Sequence, residues 1–389
     1  MKMNEKIDAL IQNDLEKGCF VGANAAVFQN GRCLYSGSFG LADREKNIPM
    51  QQDTIFRIYS MTKPVTSAAI MQLAERGLIR TDQPVSDFFP TFANPQVYDA
   101  DGTLRPAARE ITIQHLLNMQ SGLTYPGPNT PTQKDTASFF GKLDYLRMHG
   151  DALTTKQFCE EIGKIPLMFD PGTDWEYGVS ADILGGIVET VTGMPYREYL
   201  KENIFLPLGM HDTDFYVPVE KQHRFAAAYE PIDGRLVRDE KTHLGLNDYL
   251  TLPAFISGGA GLCSTIADYC RFAEALAGGG ITSDGVRILS SASIETMRTP
   301  HVSAAMLIPK YWDSLQGYAY GNLVRVLVDP DAFHTIATPG EFGWDGWTGT
   351  YFCADPKENL TIFFWIQVAC AGTSPTARNM RNLVYESLK

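Results

Sequence analysis

The sequence has few cysteines, and their arrangement excludes two common kinds of stabilised protein. The seven cysteines of the 389-residue chain are odd in number and widely spaced, and no C-x-x-C pair occurs. We therefore predict neither a disulfide framework nor a zinc site. The seven histidines form no H-E-x-x-H, and the chain has no G-x-x-x-x-G-K-[ST] and no helix-opening G-x-G-x-x-G. These absences predict a protein without a metal or another cofactor.

Positive charge is also scarce. The chain has 33 Lys and Arg against 45 Asp and Glu, which gives a formal net charge of −12. Nucleic acids and anionic membrane surfaces are bound by clustered Lys and Arg, so neither is expected as a partner. No apolar run is long enough to span a bilayer, and the N-terminus lacks the apolar core of a signal peptide. We therefore expect a cytoplasmic protein, and its oligomeric state stays open.

Strand patterns lie toward both ends of the chain and helical patterns lie between them. Residues 22–41 predict a β-hairpin with its turn at Asn30-Gly31, and residues 61–77 predict a helix. Segment 124–150 is rich in Pro, Gly and Thr and is predicted to be an exposed excursion, a candidate lid. Three strands follow in the last third, within YGNLVRVLV, WTGTYFCAD and LTIFFWIQVA, and a helix begins near residue 376.

The economical arrangement of these elements is an α+β fold. The N-terminal hairpin and the C-terminal strands would form one antiparallel sheet flanked by helices, with a mostly helical region beside it. The chain would be a single unit, 1–389, with the sheet region at about 1–58 and 315–389 and the helical region at about 59–314. A cleft between the two regions is the expected active site.

The first candidate for chemistry is Ser60-Met61-Thr62-Lys63, where an extended segment enters a helix. Positions i and i+3 share a helix face, so the Lys63 amine can reach the Ser60 oxygen. A serine hydroxyl needs such a base before it becomes a good nucleophile. Taken alone, the same pattern is also typical of a helix N-cap followed by a solvated lysine.

Two further elements support catalysis. Tyr177 lies on the loop after Pro171-Gly172, and a phenol beside a lysine ammonium is expected to shift toward phenolate and to move protons. The stretch from Gly343 to Thr350 is rich in glycine and enters a strand, where a ligand can approach backbone N–H groups closely. A tyrosine packed under a loop and a simple glycine turn are the competing interpretations.

Taken in order, these elements resemble the serine β-lactamase and penicillin-binding protein superfamily. The resemblance is closest to its class C-like branch, which includes the family VIII carboxylesterases, and it covers most of residues 20–385. It implies a β-lactamase/transpeptidase-like fold in which Ser60 is acylated, Lys63 helps to deprotonate it, and Tyr177 acts as general base and acid. It also implies an oxyanion hole formed by the backbone N–H groups of Ser60 and Trp347.

The departures from the family pattern concern the substrate. The Tyr-x-Asn of the β-lactamases has Val179 at its third position here, and their Lys-Thr-Gly is replaced by Trp344-Asp345-Gly346. A cation is therefore missing where an anionic substrate would bind. We expect Trp344, Gly346, Val179 and Tyr125 to contact a substrate with a neutral or apolar acyl group. Strand alternation points Asp345 away from Trp344, and no role is assigned to it.

These observations favour a serine hydrolase that acts through an acyl-enzyme on a small-molecule ester or amide. A carboxylesterase for small or short-chain esters is the leading interpretation. A β-lactamase, a D,D-peptidase or a D-aminopeptidase uses the same machinery, and an acyltransferase differs only in its acceptor. A non-catalytic binding module with this fold is the alternative from another class.

Overall fold

The structure is a computed structural model that describes residues 2–307 and 313–388. Residues 308–312, which fall in the predicted helical region, lie outside the described residues. The helices are α1 (Met3–Glu16), α2 (Thr62–Glu75), α3 (Ile113–Leu117), α4 (Pro131–Met148), α5 (Thr155–Ile162), α6 (Ser180–Thr192), α7 (Tyr196–Leu200), α8 (Leu206–Leu208), α9 (Ile266–Ala277), α10 (Ser291–Arg298), α11 (Ala304–Leu307) and α12 (Pro375–Leu388). The strands are β1 (Gly22–Gln29), β2 (Arg32–Asp43), β3 (Ile48–Pro49), β4 (Phe56–Arg57), β5 (Gln96–Tyr98), β6 (Leu104–Pro106), β7 (Ala228–Ile232), β8 (Arg235–Asp239), β9 (Cys263–Ser264), β10 (Tyr318–Tyr320), β11 (Arg325–Leu327), β12 (Phe342–Asp345), β13 (Thr350–Asp355) and β14 (Leu360–Trp365).

The largest sheet joins the two strand-rich segments. Its eight strands run in the order β10-β11-β12-β13-β14-β1-β2-β3, and neighbouring strands are antiparallel. Strand β1 pairs with β14, which places Ala26 opposite Phe363. The turn between β1 and β2 is Asn30-Gly31, with φ of 51° and 73°, as a type I′ turn requires. The predicted α+β fold with one antiparallel sheet is confirmed.

The side chains of β14 are buried on both faces of this sheet. Successive residues of a strand point in opposite directions, so β14 contributes to two cores. Ile362 points toward α1 and α12 and belongs to the same core cluster as Ile7 and Val384. Phe363 and Trp365 face the other way and belong to the larger cluster that continues into the helical part. The sheet strands lie within residues 22–49 and 318–365; the division of the chain into regions stays a prediction.

Segment 124–150 differs from its predicted form. Most of it is α4, the helix Pro131–Met148, and not an irregular excursion. Phe139 and Phe140 lie on its buried face and pack against Phe158 of α5, with ring centroids 5.4 and 6.0 Å apart. The apolar contacts of that face outweigh the Pro, Gly and Thr content, which marks only the start of the segment. Thr130 caps the helix by accepting a hydrogen bond from the Gln133 N–H.

The predicted strand YGNLVRVLV also differs, because it folds as the hairpin β10–β11. Leu323, between the two strands, has φ of 59°, which interrupts an extended conformation. The hairpin adds two short strands at the edge beside β12. Among the residues that the structure describes, no helix combines the length and apolar character needed to cross a bilayer.

Candidate active site

Ser60 lies in a tight turn directly before α2. Residues Tyr59–Met61 form a 3-10 turn, and Tyr59 has φ of 40°, a left-handed conformation that is uncommon for a residue with a side chain. The Tyr59 ring packs edge-on against Trp347 and Tyr249, with centroids 5.3 and 6.1 Å away. The Ile58 N–H donates to the Leu262 carbonyl at 3.0 Å. These contacts hold the strained turn that presents Ser60, a pattern common at functional sites.

Lys63 is completely buried and its amine meets three oxygen atoms. The Nζ atom lies 3.1 Å from Ser60 Oγ, 3.1 Å from Tyr125 Oη and 2.8 Å from the Gly259 carbonyl oxygen. Burial lowers the pKa of Lys63 to about 7, while the charges of Asp182 and Asp345 oppose that shift. The predicted contact between Ser60 and Lys63 is therefore present, with an amine that exchanges its proton near neutral pH.

Protonation determines what Lys63 can do with these three oxygens. An ammonium donates to all three, whereas a neutral amine has two N–H groups and one lone pair. The Gly259 carbonyl can only accept, so one N–H stays directed at it. The lone pair is then available to the hydroxyl proton of Ser60. In its neutral form Lys63 is placed to act as a general base.

Tyr177 lies three residues before α6, and its hydroxyl connects Ser60 to β12. Its oxygen accepts a hydrogen bond from Trp344 Nε1 at 3.0 Å, and it is also hydrogen-bonded to Ser60. Burial raises the pKa of Tyr177, and the hydrogen bonds with Ser60 and Trp344 oppose the rise only in part. The expectation that the lysine drives this phenol toward phenolate is therefore wrong, because loss of hydration outweighs these two hydrogen bonds and the charges of Asp345 and Asp182 raise the pKa further.

Sequence reasoning missed Asp182, which fixes the loop that holds Lys63. The buried Asp182 carboxylate accepts hydrogen bonds from the Ser257 hydroxyl and, at 3.0 Å, from the Gly259 N–H. Burial raises the pKa of Asp182, and the Ser257 hydrogen bond and the charge of Lys63 counteract it. The one available signal was a lone acidic residue in the otherwise apolar start of α6, ADILGGIV.

The turn after β12 lies against the segment that carries Ser60. A Cβ atom on Gly346 would come within 2.5 Å of the Ile58 carbonyl oxygen, so only glycine allows this approach. The Gly346 N–H donates to the Thr350 carbonyl at 2.6 Å. Trp347 follows, and its ring contacts those of Tyr59 and His243, with centroids 5.3 and 4.3 Å away. The assignment of its backbone N–H to an oxyanion hole stays a prediction.

The residues expected to contact a substrate differ in how much of their surface is exposed. Tyr125 is half-buried beside Lys63, and its ring centroid is 5.7 Å from that of Tyr177. Trp344 is only 2% exposed, and Val179 is fully buried in the core cluster. These two side chains therefore offer almost no surface to a ligand. Asp345 turns away from Trp344, as strand alternation predicts, and accepts hydrogen bonds from Arg325 and Thr373.

Metal ligands do not converge at this site or elsewhere in the described ranges. Within residues 2–307 and 313–388, no group of three or more His, Cys, Asp or Glu side chains is arranged to hold a metal ion.

Comparison with known proteins assigns the chain to a family. The family model described as Beta-lactamase matches residues 7–384. The chain belongs to the beta-lactamase family. Within the serine β-lactamase and penicillin-binding protein superfamily it lies near the family VIII carboxylesterases, and its fold is β-lactamase/transpeptidase-like.

Individual relatives add chemistry to this assignment. "Protein Rv1367c" of Mycobacterium tuberculosis is 34% identical over 376 residues, covering 92% of this chain and 88% of the relative. Esterase EstB of Burkholderia gladioli is 31% identical over 399 residues, covering 98% and 94%. The solved structure of EstCE1, described as a hydrolase with promiscuous acyltransferase activity, is 25% identical with a TM-score of 0.83 and covers 98% of both chains. This beta-lactamase family member thus belongs to a serine hydrolase superfamily with esterase and acyl-transfer members.

Proposed function

We propose that the protein is a carboxylesterase that hydrolyses small or short-chain esters through an acyl-enzyme on Ser60. The observation that carries the proposal is the buried Lys63 amine, 3.1 Å from Ser60 Oγ, with its pKa lowered to about 7. Acylation of a serine requires a neutral base in contact with its hydroxyl, because the hydroxyl must lose its proton as it attacks the ester. The 31% identity to an esterase over nearly the whole chain supports the same chemistry.

The reaction has two stages. Lys63 takes the Ser60 proton as Oγ attacks the ester carbonyl, and the backbone N–H groups of Ser60 and Trp347 stabilise the oxyanion. The leaving alcohol takes a proton from the Tyr177 hydroxyl, and the Lys63 ammonium returns a proton to Tyr177. Water then attacks the acyl-enzyme, and the same groups restore Ser60 and release the carboxylic acid.

The charges around the site favour a neutral substrate. Trp344 occupies the position of the lysine in the Lys-Thr-Gly of the β-lactamases, so the strand supplies no cation in front of Ser60. Arg325, on the neighbouring strand β11, is 1% exposed and donates to Asp345 at 2.7 Å, so it is not available to a ligand. Binding of an ester without a carboxylate does not depend on a strand cation. An anionic β-lactam or a peptide C-terminus would lack the cation that pairs with its carboxylate.

The test is hydrolysis of p-nitrophenyl acetate and p-nitrophenyl butyrate by the wild-type protein. We expect saturable turnover that falls to the uncatalysed rate in Ser60→Ala, and an acyl adduct on Ser60 detectable by mass spectrometry. Turnover that persists in Ser60→Ala would overturn the assignment. If no fluorophosphonate adduct forms on the wild-type protein, the fold serves as a binding module instead.

Acyl transfer is the second candidate, because the description of EstCE1 includes promiscuous acyltransferase activity. An alcohol added to the p-nitrophenyl butyrate reaction would compete with water for the acyl-enzyme. If the transferred ester exceeds butyrate at millimolar alcohol in water, transfer and not hydrolysis is the principal activity. Hydrolysis of nitrocefin or of a D-alanyl-D-alanine peptide with kcat/KM equal to that of the esters would instead favour the β-lactamase or peptidase alternatives.

A further inference from the structure

Trp344 is held by three neighbouring side chains and by a hydrogen bond from its indole N–H. Its ring lies 5.5 Å from the Tyr177 ring at a tilt of 33°, Tyr320 meets it edge-on at 5.3 Å, and the Arg325 guanidinium carbon lies 5.7 Å from its centroid. Its Nε1 donates to the Tyr177 oxygen at 3.0 Å. With 2% of its surface exposed, the indole contacts other side chains far more than it could contact a substrate.

We propose that Trp344 is a positioning residue that makes Tyr177 the proton donor to the leaving alcohol and thereby leaves Lys63 as the base. This inference rests on the proposed esterase function. It replaces the expectation that Trp344 contacts the substrate.

The argument follows from what each group can donate. An indole N–H can only donate, so the Tyr177 oxygen must accept from Trp344 with one of its lone pairs. When the Ser60 proton is directed at the neutral Lys63 amine, the phenol proton is the group that Tyr177 offers toward Ser60. A hydrogen bond to an oxygen is stronger when that oxygen carries a negative charge, so the indole stabilises the phenolate formed when Tyr177 gives up its proton. The same contact opposes the effect of burial on the pKa of Tyr177.

The proton inventory of acylation is complete with these groups. The Ser60 proton moves to Lys63 as the Oγ–carbonyl carbon bond forms, and the Tyr177 proton moves to the alkoxide oxygen as the carbon–oxygen bond of the ester breaks. The products are the acyl-enzyme, the free alcohol, the Lys63 ammonium and the Tyr177 phenolate. Transfer of one proton from Lys63 to Tyr177 then restores both, and Nζ lies 4.5 Å from the Tyr177 ring centroid.

This role has a consequence that depends on the leaving group. An alkoxide is a strong base and needs a proton as it departs, whereas p-nitrophenolate is stable at neutral pH and does not. Loss of the indole N–H should therefore slow acylation by an alkyl ester far more than acylation by an aryl ester. A residue that only supports the packing of the site would affect the two alike.

The experiment compares kcat/KM for ethyl butyrate and p-nitrophenyl butyrate, which form the same acyl-enzyme. For Trp344→Phe we expect a ten- to hundredfold loss with the ethyl ester and a loss of less than about threefold with the aryl ester. Tyr177→Phe should show the same selectivity. Trp344→Lys, which restores an N–H donor of the kind that the β-lactamases carry here, should keep the ratio of the two values within about threefold of wild type.

Trp365→Phe is the matched control. Its indole is also buried, but within the described residues its N–H has no hydrogen-bond partner, so the ratio should not change. Equal losses with both esters in Trp344→Phe, or a Trp344→Lys protein with the skewed ratio expected of Trp344→Phe, would overturn the inference. The Lys variant decides the matter if the Phe variant does not fold. Failure of the esterase proposal itself would be recognised separately, because wild type would then hydrolyse neither ester.

Discussion

Asp182 and Lys63 are joined through a single residue, Gly259, whose N–H donates to the Asp182 carboxylate while its carbonyl oxygen accepts from the Lys63 amine. The carboxylate therefore acts on the lysine in two ways. It orients the carbonyl that holds Nζ, and its charge favours the ammonium form. The balance between this charge and burial places the proton exchange of Lys63 near neutral pH.

The first prediction concerns pH. Burial holds the pKa of Lys63 at about 7, and only the neutral amine can accept the Ser60 proton. Below that pH we expect kcat/KM for p-nitrophenyl butyrate to rise about tenfold per pH unit, and above it to level off. The measurement is a pH profile corrected for the reaction seen with Ser60→Ala. A flat profile between pH 5.5 and 8.5 would contradict Lys63 as the base.

The second prediction concerns Asp182→Asn. The amide oxygen can still accept from Ser257 and Gly259, so the loop should keep its place, but the charge that favours the Lys63 ammonium is lost. The midpoint of the pH profile should move to lower pH by about one pH unit. Asp182→Ala, which also removes the acceptor, should lower kcat at every pH. An Asn variant with an unchanged or higher midpoint would show that Asp182 does not act through Lys63.

The third prediction concerns the close contact between Gly346, in the turn after β12, and Ile58, two residues before Ser60. In Gly346→Ala the new methyl group would meet the Ile58 carbonyl oxygen and push the turn away from Ser60. We expect kcat/KM to fall at least about tenfold, because in the proposed mechanism the Trp347 N–H beside this turn stabilises the oxyanion and a small displacement of that donor is costly. Gly141→Ala in α4 is the control, because open space surrounds that position. It should leave kcat/KM unchanged; an equally active Gly346→Ala enzyme would contradict the close approach.

The fourth prediction tests the docking of α4. Phe158 is fully buried, stacks on Phe255 at 4.2 Å and meets the two phenylalanines of α4. Phe158→Ala should lower the free energy of unfolding in urea by about 3–5 kcal/mol. Met148→Ala, at an exposed position of the same helix, should change it by less than about 0.5 kcal/mol. Equal effects of the two substitutions would contradict the packing of α4 against Phe158.

Local patterns predicted the parts of the fold that local forces determine. The Asn30-Gly31 turn and the helix that carries Lys63 follow from turn chemistry and periodicity, and both are present. The resemblance to the serine β-lactamase superfamily, and not a local pattern, predicted that Ser60, Lys63 and Tyr177 lie together, and the structure places them in contact. Helix α4 was missed because Pro, Gly and Thr at the start of its segment obscured a buried face that only tertiary contacts with Phe158 reveal.

The protonation of the site was the part that sequence could not supply. A tyrosine beside a lysine suggests a phenolate, but the outcome depends on how completely each group is removed from water, and burial is a property of the folded chain. The hydrogen bond from Trp344 to Tyr177 and the hydrogen bonds that connect Asp182 to Lys63 through Gly259 also depend on the tertiary structure. No spacing between positions 182 and 259 indicates that they meet.

The pairing of β1 with β14 sets when the candidate site can first be complete during synthesis. Ser60, Lys63 and Tyr177 leave the ribosome well before β12, β13 and β14, yet the turn after β12 completes the surroundings of the nucleophile. Because the sheet closes only when residues 342–365 have emerged, contacts of large sequence separation must form last. A nascent chain therefore carries Ser60 and Lys63 for most of translation before the turn after β12 reaches them, and under the proposed function hydrolysis would begin only with the closed sheet.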